Sequence, residues 1–167
     1  MTARRALLGA ALAAAGLAAA GCGFQLKRPP ELRFRTIQLT GFPVRSPLAA
    51  ELKAAIDATP TTQVVESAGQ AQVVLHALAD ERERSVIATS AAAQVREIQL
   101  RARLRFRLST PDGRELIPDA EIVLRRDMSY VEAAALAKER EEELLFRAMQ
   151  TDIVSQVLRR LAAVSAP

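Results

Sequence analysis

Ile98-Gln99-Leu100-Arg101-Ala102-Arg103-Leu104-Arg105-Phe106-Arg107-Leu108-Ser109 alternates apolar and polar residues without a break. Successive side chains of a strand leave on opposite faces, so six apolar residues point to a core and four arginines point away from it. Thr110-Pro111-Asp112-Gly113 follows with proline and glycine placed for a turn. Glu121 to Ser129 reads as the strand that returns beside it. An antiparallel pair like this has one face on a core and the other wet or covered by a partner.

Working upstream, Leu32 to Leu39 reads as a first strand that ends at Thr40-Gly41. Ser46-Pro47 is an N-cap followed by proline at the first helical position. Leu48, Leu52, Ala55 and Ile56 then share one helical face, which predicts a helix over 47–58. Gln63 to Glu66 is a short edge strand, and Ala71 to Ala79 is a strand leading into Asp80-Glu81-Arg82-Glu83-Arg84. Ser85 to Ala93, small and polar, reads as a loop or hairpin tip. Downstream, from about Val131, the period becomes helical. Leu145, Met149, Ile153, Val157 and Leu161 form an i, i+4 stripe widened by Leu144, Val154 and Leu158. The glutamates Glu139, Glu141, Glu142 and Glu143 come early and Arg159-Arg160 late, a polarity that suits the helix dipole. The expected fold is α+β in two layers, with two helices on one face of a mostly antiparallel or mixed sheet of about four strands. No internal repeat is present.

The first 21 residues have a different character. Met1-Thr2-Ala3-Arg4-Arg5 precedes Ala6 to Ala20, which contain only Ala, Leu and Gly. A short basic region and an apolar stretch of about 15 residues make a secretory signal, too short for a membrane span. It ends Ala19-Ala20-Gly21-Cys22, similar to the lipobox of bacterial lipoproteins. The usual Leu three residues before the Cys is here Ala19. Cys22 is the only cysteine in the chain. It is expected to be acylated, since an exposed free thiol in an oxidising compartment would be a liability. Gly23 follows it in place of the Asp that retains many lipoproteins in the inner membrane, so the outer membrane is the expected destination. The chain then divides into a signal at 1–21, a lipidated tether at 22–31 containing Lys27-Arg28-Pro29-Pro30, and one domain at 32–167.

Composition excludes several functions. The 167 residues are 50% hydrophobic and 25% charged, so the chain is not disordered. One His and one Cys exclude a Cys/His zinc site, an internal disulfide and a second catalytic His. Aromatics at 4% offer little for stacking on nucleic-acid bases. His76 lies in an apolar strand segment and reads as a packed histidine rather than a catalytic one. The run Glu139 to Glu143 is scattered around a helix axis, so it reads as a solvated face rather than a metal site. No glycine-rich phosphate loop is present. No enzyme and no cofactor are expected beyond the acyl groups on Cys22. The net charge of +4 falls to +2 when Arg4 and Arg5 are removed, leaving 21 basic against 19 acidic side chains.

What remains basic is concentrated in the ladder Arg101, Arg103, Arg105 and Arg107. Such a row repels itself unless acids interleave or anions approach. One reading is a solvent face balanced by neighbours such as Glu121 and Asp127. The other is a surface that meets phosphate groups, for which arginine offers a bidentate fork. With a secretory signal, the phosphorylated lipid of a Gram-negative outer membrane is the matching anion, not nucleic acid.

Several segments in order resemble the LptE family, lipopolysaccharide-assembly lipoproteins that partner the LptD β-barrel. Cys22-Gly23-Phe24-Gln25-Leu26 is similar to the start of their mature chains, and Ser46 to Leu52 to their first helix entry. Arg125 to Lys138, with Ala135-Leu136-Ala137-Lys138, resembles their last strand and the segment after it. Glu143-Leu144-Leu145 through Met149, Asp152-Ile153, Gln156 and Leu161 resemble their final helix. The resemblance implies a non-catalytic plug inside the barrel lumen that supports barrel assembly and contacts lipopolysaccharide. It carries the ligand contact over to Lys138, which as an ordinary helix-surface lysine would instead pair with Glu142. The family's other basic contact lies in a loop that here, Ser85 to Gln94, has no Lys or Arg. Arg82, Arg84 and Arg96 are its nearest candidates, and Arg125 is a further one. The alternative from another class is a general periplasmic envelope lipoprotein, a protein adaptor that does not bind lipopolysaccharide.

Overall fold

The computed structural model describes residues 30–165. The signal at 1–21, Cys22 and the tether up to residue 29 lie outside the described residues. A five-stranded mixed sheet is formed by β1 (Thr36–Thr40), β2 (Gln63–Val65), β3 (Val73–Thr89), β4 (Val95–Ser109) and β5 (Glu115–Ser129) in the order β2-β1-β3-β4-β5. β1 runs parallel to β2 and β3, and β3, β4 and β5 form an antiparallel meander. Helices α1 (Pro47–Asp57) and α2 (Ala135–Ala162) pack on one face of it. The fold class is as expected, with one strand more.

The alternation in β4 holds at every position. Ile98, Leu100, Ala102, Leu104, Phe106 and Leu108 are all buried beneath the helices. Leu48, Leu52 and Ile56 of α1 and Met149, Ile153, Val157 and Leu161 of α2 close that core. Ser46 caps α1 by accepting from the Ala49 N–H at 3.0 Å, and its hydroxyl donates to Asp80. Leu144 does not join the stripe. It stands 100° around the helix from Leu145 and is 60% exposed. The first turn of α2 carries no acid, so only Arg159 and Arg160 in its last turn complement the dipole.

β3 differs most from its sequence reading. It runs ten residues past Ala79, and Ser85 to Thr89, read as loop, are strand. The tip narrows to Ser90–Gln94, closed by the Ser90 N–H donating to the Gln94 carbonyl at 2.8 Å. The apolar alternation of the segment is interrupted at Leu78, an extra residue between the pairs Ala77–Phe106 and Ala79–Arg105. This bulge shifts the phase of everything beyond it by one residue. Asp80, Arg82 and Arg84 turn to the helix side, opposite Leu104, Ala102 and Leu100, while Glu81 and Glu83 turn to the open face. A second irregularity sits in β5, where Pro118 and Asp119 fall between the pairs Leu108–Ile117 and Phe106–Ala120. β5 therefore begins at Glu115, six residues earlier than its alternation suggests.

Candidate ligand-contact end and the open face

The residues singled out in the sequence fall into two groups, one on each face of the sheet. On the open face the arginine ladder is interleaved with acids. Arg101 Nη1 is 3.0 Å from Glu83 Oε2, and Arg105 Nε is 3.0 Å from Asp119 Oδ1. Arg103 bridges Glu121 at 2.5 Å and Glu81 at 3.1 Å. Hydrogen bonds donated to Glu121 first and Glu81 second hold the Arg103 guanidinium above its ordinary pKa. Asp127 takes no arginine; it accepts from the Gln99 amide at 2.9 Å. Glu81, Glu83 and Asp119 are thus the partners that the sequence reading missed, two of them because the bulge changes their face. Arg107, opposite His76, and Arg125, opposite Arg101, make no ion pair among the described residues.

On the helix side, Arg82, Arg84 and Lys138 line up along the seam between β3, β5 and α2. Arg82 donates to Gln150, and its guanidinium lies 5.5 Å from the centre of the Phe146 ring. Arg84 donates to Glu142 at 3.1 Å and lies 5.8 Å from the centre of the Tyr130 ring. Lys138, in the first turn of α2, reaches Ser129 Oγ at 3.1 Å and Glu141 Oε2 at 2.8 Å. Its acidic partner is therefore at i+3, not the Glu142 expected at i+4, because Glu142 is held by Arg84. The lysine is 18% exposed, so its stem packs along the seam while its charge stays near solvent.

Arg96 belongs to the same end. Its carbonyl accepts from the Tyr130 N–H at 2.8 Å, and its guanidinium bonds the Gln94 amide oxygen at 3.1 Å. Arg96, Gln94, Tyr130, Val131 and Glu132 line an open groove of about 720 Å³ at the base of the hairpin tip. Tyr130, the only tyrosine, went unremarked in the sequence because it follows the strand as a single aromatic with no periodic partner. Arg125 lies on the opposite face and is not part of this group. His76 bonds Thr40 Oγ1 through Nδ1 at 2.9 Å and is a structural histidine. No group of three metal-ligating residues occurs among the described residues. No described helix is long and apolar enough to cross a membrane.

The family model of lipopolysaccharide-assembly LptE matches residues 34–161. The chain belongs to the LptE family. Among solved structures, uncharacterized lipoprotein B from Nitrosomonas europaea shares 32% identity at a TM-score of 0.72, covering 84% of this chain and 91% of that one. Rare lipoprotein B from Shewanella oneidensis has the same fold at 24% identity and a TM-score of 0.65, covering 77% and 95% of the two chains. A minor lipoprotein from Acinetobacter baumannii does so at 20% identity and a TM-score of 0.64, covering 82% and 100%. No curated protein matches the chain. As an LptE-family member, the chain is a lipopolysaccharide-assembly lipoprotein, and the two-helix, five-strand domain is the form this family takes here.

Proposed function

We propose that this LptE-family chain is anchored to the outer membrane through acyl groups on Cys22, faces the periplasm, plugs and helps assemble an LptD-type barrel, and binds lipopolysaccharide without catalysing a reaction. The observation that carries the ligand contact is the gathering of Lys138, Arg84 and Arg96 at one end, around the Tyr130 groove. Each is a cation whose partner is neutral or at least partly exposed, so an arriving phosphate competes with water-facing contacts rather than with a buried pair. Arg82 supports the seam from beneath, and Arg125 is a secondary contact on the far face.

The open face has a different role. Arg101, Arg103 and Arg105 already hold carboxylates, so this face offers alternating charge rather than a phosphate cradle, with Arg107 at its unpaired end. Alternating charge suits the polar wall of a barrel lumen. The deciding experiment is co-expression with the candidate barrel, purification of the complex and measurement of its mass. A one-to-one complex that retains lipopolysaccharide is expected. A chain that purifies with another envelope protein, and binds no lipopolysaccharide, makes it an adaptor instead.

A further inference from the structure

The end of the fold that gathers Lys138, Arg84 and Arg96 is not a basic one. Tyr130 to Glu143 carry Glu132, Glu139, Glu141, Glu142 and Glu143 against Lys138 and Arg140. Arg82, Arg84 and Arg96 of β3 and β4 only bring the cations level with these acids, and Glu97 follows Arg96. An arriving phosphate therefore meets little net positive field and depends on close contacts.

Two of the acids stand on the contact cations themselves. Glu142 Oε2 is 3.1 Å from Arg84 Nε, and Glu141 Oε2 is 2.8 Å from Lys138 Nζ. On each cation a carboxylate oxygen thus occupies a position that a phosphate oxygen would take. Each holds by one oxygen on one nitrogen. The side chains of Arg84 and Glu141 are 45% and 46% exposed, so a ligand can reach both pairs. The other acids of the segment leave these cations alone. Glu132 and Glu139 make no ion pair among the described residues, and Glu143 reaches only Arg147, at 4.0 Å. Arg96 is held by the neutral amide of Gln94.

The helix keeps both carboxylates in place. Glu141 and Glu142 follow Lys138 by three and four residues, the spacings that set side chains beside one another on a helix. A carboxylate displaced by a ligand stays within reach of Lys138 and recaptures a cation as the ligand loosens. A protein that assembles lipopolysaccharide into a membrane has to let each molecule go. We propose that Glu141 and Glu142 are built-in competitors for the phosphate positions and hold the grip on lipopolysaccharide loose enough for release. This rests on the reading of Lys138, Arg84 and Arg96 as the ligand contact.

The test measures the affinity of the full chain for purified lipopolysaccharide at about 50 mM and about 500 mM sodium chloride. Each partly exposed pair is worth up to about five-fold, so the Glu141→Gln, Glu142→Gln chain is expected to bind about ten-fold more tightly at low salt. Its affinity should also fall more steeply with salt than that of the unaltered chain. There the ligand exchanges one ion pair for another, and screening weakens both. The Glu139→Gln, Glu143→Gln chain loses the same charge from the same turns and should change by less than about two-fold. Equal gains in the two double variants mark a general field effect and overturn the proposal. Unchanged or weaker binding by the Glu141→Gln, Glu142→Gln chain overturns it too. Should that chain show no cooperative melt, the unaltered chain decides: a shallow salt dependence supports the competitors, and a steep one means that its cations stand free. Lys138→Glu separates the two readings. Weaker binding in that variant keeps the ligand contact even where the competitors fail. Unchanged binding puts the ligand elsewhere and refutes both.

Discussion

Glu81 and Arg103 face each other across β3 and β4, with 3.1 Å between Oε2 and Nη1, because one extra residue at Leu78 turns Glu81 out of the core. On an unbroken ladder, the phase of Val73, Leu75 and Ala77 would continue to Ala79, Glu81 and Glu83 and carry two carboxylates under the helices. Deleting Leu78 makes the pairs Ala77–Phe106 and Ala79–Arg105 consecutive and moves no later side chain to the other face, so the deletion is expected to keep a cooperative thermal transition. Inserting one alanine after Leu78 forces either a two-residue bulge or a two-residue slip of β3 along β4, which takes Glu81 from Arg103 and Glu83 from Arg101. The insertion should therefore melt well below the deletion. Circular dichroism melting of both chains is the check; the reverse order would count against the bulge as the device that sets the faces.

Gly41 has φ +77°, and a Cβ there would meet the Ala77 carbonyl oxygen and the His76 ring. Both the left-handed backbone and the contact with a fixed carbonyl oppose any side chain. Gly41→Ala is expected to destabilise by about 2–4 kcal/mol. Gly113→Ala, whose φ is +96° but whose Cβ meets nothing within 4 Å, should cost about 1 kcal/mol. Paired urea titrations measure the difference.

Charge reversal separates the two basic groups. Lys138→Glu is expected to weaken binding to purified lipopolysaccharide about ten-fold, because it replaces a donor with a repelling carboxylate. Arg103→Glu places three carboxylates together and should act on stability, with little effect on lipopolysaccharide affinity once folded. Equal losses of affinity in the two variants would return the ladder to the ligand surface.

Cys22→Ser is expected to move the protein from the membrane fraction to the soluble fraction. Two acyl chains anchor stably where one is marginal. Unchanged incorporation of radiolabelled palmitate into the Ser variant would refute acylation at this residue.

The last helix is one layer of the core. Met149, Ile153, Val157 and Leu161 are all buried, so a chain truncated before Leu145 should lose cooperative folding. Ile153→Ala is the milder form and should cost about 2–5 kcal/mol by urea denaturation. A cooperative melt in the truncated chain would contradict the two-layer core.

What could be read from the residues follows from how each element is held. β4 lies between two strands, with its apolar side chains from Ile98 to Leu108 all buried, so its alternation survives intact. Residues 85–89 of β3 are held mainly by backbone pairing and bury little, so burial leaves no alternating apolar signature there. The bulge lies within Ala77-Leu78-Ala79, three apolar residues in a row that suit either face, so the change of phase has no compositional mark. Lys138 was located by resemblance. Its actual partners, Ser129 and Glu141, depend on Glu142 being drawn to Arg84, a contact 58 residues away in the chain. Of the ladder's partners, Glu121 was foreseeable from the neighbouring strand and Glu83 was not.

Pro118 has a consequence for the chain's passage to its destination. β5 is the outer strand of the sheet and runs for 15 residues, long enough to recruit the matching edge of another copy and seed a fibre. Proline has no N–H to offer such a neighbour, and the doubled step at Pro118–Asp119 breaks the straight row of donors and acceptors. The rim of β5 thus gives a second copy no unbroken row to add to.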